Sequence, residues 1–111
     1  MQDKLLVATK VKTTIDYIEK VTMNFPNNEY VLKNNIMDTL YKLLELVYKA
    51  NIHKETFYMK EIIIKIRMLE YYIKISLTKN IISFKKYENI GNYLLEINKM
   101  VNAWIKYETS K

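Results

Sequence analysis

The stretch Met59-Lys60-Glu61-Ile62-Ile63-Ile64-Lys65-Ile66-Arg67-Met68-Leu69-Glu70-Tyr71-Tyr72-Ile73-Lys74 decides the fold. Its residues Met59, Ile62, Ile63, Ile66, Leu69 and Ile73, continued by Leu77, recur at intervals of three and four. That spacing draws one stripe down an α-helix, whereas a half-buried strand would alternate at every second residue. The same period runs through the rest of the chain. Val7, Ala8, Val11, Ile15, Ile18 and Phe25 form one stripe. Ile36, Met37, Leu40, Leu43, Leu44, Val47 and Tyr48 form a second, and Ile90, Tyr93, Leu94, Ile97, Met100, Val101, Trp104 and Ile105 a third.

Three breaks separate these stripes. In Asn24-Phe25-Pro26-Asn27-Asn28 the proline lacks an N–H and restricts the residue before it, so a helix is expected to end near Met23. Asn27 or Asn28 is then expected to cap the next helix, with Glu29 in its first turn. A weaker break falls at Ala50-Asn51-Ile52-His53-Lys54, with Asn51 as the expected terminator. At Thr78-Lys79-Asn80-Ile81-Ile82-Ser83, Asn80 tolerates a left-handed conformation and Ser83 is a good N-cap. Helices are thus expected over residues 4–23, 28–50, 54–79 and 84–107 of a single domain spanning 1–111. Helices of such length joined by short loops pack antiparallel. The expected fold is all-α, an antiparallel up-down-up-down four-helix bundle.

Composition excludes several classes of chemistry. The 111 residues hold one glycine, Gly91, so no Gly-rich phosphate loop or dinucleotide fingerprint is possible. With no cysteine there is no disulfide, zinc ribbon or thiol nucleophile. His53 is the sole histidine, so no metal site, no catalytic residue and no cofactor is expected. Asp16, Glu19, Asp38, Glu45, Glu70 and Glu96 read as solvated carboxylates rather than paired acids. Tyr17, Tyr41, Tyr48, Tyr87, Tyr93 and Tyr107 read as core-edge residues. Met1 to Val7 lacks the pattern of a signal peptide, and no apolar run approaches the roughly 20 residues of a membrane span. A cytoplasmic protein without a membrane partner is the expectation.

The third helix carries more apolar surface than one core face needs. Taking its core stripe as centred on Ile66, residues Phe57, Ile64, Met68, Tyr71 and Ile75 fall within about 40° of the opposite pole. Such a seam is expected to contact another subunit or a partner. Lys60, Arg67 and Lys74, seven residues apart, form a cationic ridge roughly 21 Å long beside it. Lys65 and Lys79 lie on the other flank, and Lys85 and Lys86 carry positive charge into the start of the fourth helix, where the helix dipole disfavours it. With a formal net charge of +6, these residues are candidates for phosphate contacts without base specificity. A structural bundle whose lysines reflect AT-rich coding remains the other reading of the same composition.

Several stretches resemble the accessory variability determinant proteins of diversity-generating retroelements. Phe25-Pro26 followed by Asn27-Asn28-Glu29-Tyr30-Val31-Leu32 resembles the family's entry into helix two, and Asp38-Thr39-Leu40-Tyr41-Lys42-Leu43-Leu44-Glu45-Leu46-Val47-Tyr48-Lys49-Ala50 the helix itself. Ile66-Arg67-Met68-Leu69-Glu70-Tyr71-Tyr72-Ile73-Lys74 is similar to its third helix. Ile82-Ser83-Phe84-Lys85-Lys86-Tyr87 and Leu94 to Lys106 are similar to its fourth, with Ala103 where a glycine often precedes the tryptophan. The resemblance implies a non-catalytic four-helix bundle that assembles as a homopentamer, binds the retroelement's reverse transcriptase and binds RNA or DNA, chiefly template RNA, in support of mutagenic cDNA synthesis. The family's third helix is arginine-rich; here Arg67 is the one arginine, among lysines. Bundle proteins encoded in ribosomal RNA intervening sequences share the fold and are the nearest alternative. A protein-interaction bundle without nucleic-acid binding is the other.

Overall fold

The computed structural model describes residues 3–111, with side chains from Leu6 onward; Met1 and Gln2 lie outside the described residues. Four helices follow one another: α1 (Asp3–Thr22), α2 (Tyr30–His53), α3 (Thr56–Thr78) and α4 (Phe84–Thr109), with a single 3-10 turn at Asn27–Glu29 before α2. Each helix packs against its neighbour in sequence, and α1 closes the bundle against α4. Connectors this short between long packed helices leave only the antiparallel arrangement. The result is a rod of 47 × 22 × 19 Å, an all-α four-helix bundle.

The core follows the stripes expected from the sequence, with Val21, Leu32, Ala50 and Ile82 added and Met37, Leu44, Ile63, Leu77, Met100 and Ile105 half-buried at its edge. Val7, Val11, Ile18, Ile36, Leu40, Leu43, Met59, Ile62, Ile66, Leu69, Ile90, Leu94, Ile97 and Val101 are buried, and Trp104 closes one end. Each such aliphatic side chain withdrawn from water stabilises the fold by about 1.5–3 kcal/mol. Thr14, Thr22 and Ser76 are buried too, which the apolar pattern did not reveal. They need no partner from another helix, because their hydroxyls donate to the carbonyls of Lys10, Glu19 and Tyr72 in the preceding turn. Tyr48 departs from its stripe and lies exposed, its ring under the Lys12 ammonium at 5.8 Å.

Helix ends show which local signals acted. Asn80 is left-handed (φ 61°); its N–H bonds the Leu77 carbonyl and that of Ile81 bonds Ser76, the paired closure of a Schellman motif. Ser83 then caps α4, its hydroxyl accepting from the Lys86 N–H at 3.2 Å. Two expectations fail. Asn27 and Asn28 form the 3-10 turn instead of capping α2, which starts at Tyr30 behind Glu29 without a side-chain cap. Asn51 does not end α2: the helix runs on to His53, and Lys54 turns left-handed (φ 56°) with its N–H on the Ala50 carbonyl at 2.8 Å. α3 accordingly starts at Thr56 and stops at Thr78.

Candidate nucleic-acid and partner interface

The buried residues of α3 are Met59, Ile62, Ile66, Leu69, Ile73 and Ser76. At 100° per residue their centre lies about 30° round the helix from Ile66, toward Leu69. The solvent pole shifts with it. Phe57 is 61% exposed, Ile64 51%, Tyr71 60% and Met68 38%. Ile75 is the exception among the expected seam residues: it is half-buried and packs against the core. The unpartnered apolar strip is therefore Phe57, Ile64, Tyr71 and the edge of Met68.

The same rotation brings the cationic ridge onto the exposed side. Lys60, Arg67 and Lys74 are all exposed and follow the strip along its α4 edge, where Lys74 reaches the α4 residue Tyr87, its Nζ 5.6 Å from the ring centroid. Lys65 is half-buried on the opposite flank, which faces α2; there Tyr58 stacks on His53 at 5.2 Å. The seven candidate cations thus do not form one surface. Two are already engaged. Arg67 Nη1 lies 2.9 Å from Glu70 Oε1, and Lys79, one residue beyond α3, holds Glu29 at the end of the bundle. Among the described residues Lys60, Lys65, Lys74, Lys85 and Lys86 carry no ion pair.

Between α3 and α4 runs a surface groove of about 550 Å³, lined by residues that include Glu70, Ile73, Lys85, Tyr87, Glu88, Asn89, Gly91, Asn92 and Leu94. A Cβ at Gly91 would meet nothing within 4 Å, so the position faces open space. Phe84, the first residue of α4, is 61% exposed, its ring 6.0 Å from that of Tyr87. Sequence reasoning passed over Phe84. Its outward phase relative to Leu94 and Ile97 was the available signal.

One further expectation is corrected in part. Tyr41, Tyr48 and Tyr107 are exposed rather than core-edge residues, while Tyr17, Tyr87 and Tyr93 are half-buried as anticipated. Glu45, Glu70 and Glu96 keep their exposure to solvent while holding surface ion pairs with Lys49, Arg67 and Lys10. The bond from Lys49, then its charge and that of Lys42, hold the Glu45 carboxyl below its ordinary value. Among the described residues no three His, Cys, Asp or Glu side chains lie together as a metal site would need. None of the described helices is long and apolar enough to cross a membrane.

Residues 5–108 match the family model described as bAvd-like. That span takes in nearly the whole chain and all four helices, and the chain belongs to the bAvd-like family. The resemblance to accessory variability determinant proteins, drawn above from short stretches, thus holds at the level of family and of fold. Among curated protein sequences none matches the chain.

Proposed function

We propose that this chain is a non-catalytic accessory subunit of a diversity-generating retroelement, acting in the cytoplasm. It binds the retroelement's reverse transcriptase and its template RNA, and it assembles with further copies of itself, a pentamer being the form the family suggests. The observation that carries the reading is the juxtaposition on α3: an exposed apolar strip of Phe57, Ile64 and Tyr71 beside the ridge of Lys60, Arg67 and Lys74. The strip suits a protein contact. The ridge suits a polyanion, because lysine and arginine at helical spacing neutralise phosphates and release their counterions.

The test is RNA binding over a salt series. Affinity is expected to fall linearly on logarithmic axes, by about 0.9 in slope per duplex phosphate neutralised. Reversing Lys60, Lys74 and Arg67 to glutamate flattens that slope, and co-purification with the retroelement's reverse transcriptase tests the protein partner. Absence of RNA binding at low salt would leave only a protein-interaction bundle.

A further inference from the structure

We infer that the exposed Phe84 ring, beside the Tyr87 wall of the α3–α4 groove, is a stacking site for an unpaired nucleobase, so that the chain prefers single-stranded nucleic acid to duplex. The inference rests on the nucleic-acid reading above and deepens it. Phe84 places a mostly uncovered aromatic face on the surface, 6.0 Å from Tyr87 and tilted by 31°. Lys74 stands over Tyr87 at 5.6 Å, and Lys85 lines the same groove. Tyr87, a wall of the groove, thus has the Phe84 ring and the Lys74 ammonium beside it, drawn from two helices.

The groove's walls decide between occupants. Glu70, Lys85, Glu88, Asn89 and Asn92 are charged or amide side chains. An apolar helix laid there would strip water from groups it cannot bond. A nucleobase offers an apolar face for Phe84, donors and acceptors along its edge for the amides and carboxylates, and a phosphate for Lys74 or Lys85. Every base has such a face, so stacking needs no particular sequence. In a duplex those faces are already covered by neighbouring bases, and only backbone charge is left for the lysines to read. Phe84 adds a discrimination that the Lys60–Arg67–Lys74 ridge cannot supply.

The experiment measures fluorescence anisotropy of labelled oligo(A), oligo(U), oligo(dA) and an RNA duplex of equal length, with the full chain and its variants. Wild type is expected to bind the single strands more tightly than the duplex. Phe84→Ala is expected to weaken single-strand binding by about tenfold or more, with the duplex affinity and the salt slope unchanged. Phe84→Trp is expected to keep the binding, and its new fluorescence to be quenched by oligo(A). Trp104 is buried and contributes a constant background. Circular dichroism melting verifies that each variant is folded. Equal loss for single strand and duplex, no loss at all, or an unquenched tryptophan overturns the stacking site. A variant that binds every oligonucleotide normally but changes in sedimentation mass makes Phe84 a protein contact and overturns it as well. Failure of the wild type to bind any of the four at low salt is the separate failure of the proposed function.

Discussion

The Lys79 ammonium lies 3.1 Å from both carboxylate oxygens of Glu29, a residue 50 positions earlier. The contact joins the turn before α2 to the connector after α3 and fastens the loop end of the bundle. It also takes one of the candidate phosphate ligands out of use. Solvent still reaches about half of the Lys79 side chain, so the pair stabilises the fold by about 1 kcal/mol or less. Lys79→Gln is therefore expected to cost little in urea unfolding and little in RNA affinity, whereas Lys74→Gln weakens RNA binding with no change in unfolding. Equal effects of the two in filter binding would put Lys79 back among the ligands.

The exposed strip on α3 makes a prediction about assembly. Ile64→Glu combined with Tyr71→Glu should yield a folded species of lower mass by light scattering, since both side chains are more than half exposed and neither supports the core. Ile75→Glu should instead lower the melting temperature, because Ile75 packs against the buried cluster. An unchanged mass for the double variant would exclude the strip as a subunit contact.

Two backbone positions are expected to tolerate improvement. Gly91 sits inside α4 with open space around its missing Cβ, so Gly91→Ala should stabilise by about 0.5–1 kcal/mol through helix propensity. Lys54 pays for a left-handed conformation that glycine adopts freely, and Lys54→Gly should raise the melting temperature by a few degrees. Thermal unfolding followed by circular dichroism checks both.

Loss of a cap is measurable at Ser83. Its hydroxyl satisfies one free N–H at the start of α4, so Ser83→Ala should cost about 1 kcal/mol and Ser83→Asp should cost much less. Urea denaturation of the three proteins decides it.

The Glu45 carboxyl titrates below its ordinary value because Lys49 bonds it and, with Lys42, adds positive charge. A group depressed in the folded state contributes stability above its unfolded pKa and loses it as pH falls through the folded value. Lys49→Met should therefore move the Glu45 midpoint upward in a side-chain NMR titration, with a small effect on stability for so exposed a pair. A midpoint that stays put would assign the shift to another cause.

The four helices were legible because each core stripe repeats its period over several turns, and because Pro26, Asn80 and Ser83 act through their own backbone chemistry. Asn51 misled because its low helix propensity costs only a few tenths of a kcal/mol, too little to stop a helix by itself. The actual stop, Lys54, has no residue-level preference for the left-handed region, so nothing in its identity announced it. The α3 strip was legible in outline and wrong at Ile75. Ser76 is polar by composition yet buried in fact, its hydroxyl bonded to the Tyr72 carbonyl, and including it turns the core face away from Ile63 and Leu77. Ion pairs such as Arg67–Glu70 were beyond reach, since a spacing of three permits a contact without requiring it.

The closing of α1 on α4 has a kinetic corollary. Three of the four helix seams join sequence neighbours and can zip as local hairpins, which makes for fast folding. The α1–α4 seam alone must wait for distant parts of the chain. It is held by the Tyr17–Asn89 hydrogen bond, the Lys10–Glu96 pair and the Tyr17–Tyr93 ring contact. α1 and α4, each with one neighbour besides this seam, are accordingly expected to loosen first, and their amides to exchange with deuterium ahead of those in α2 and α3.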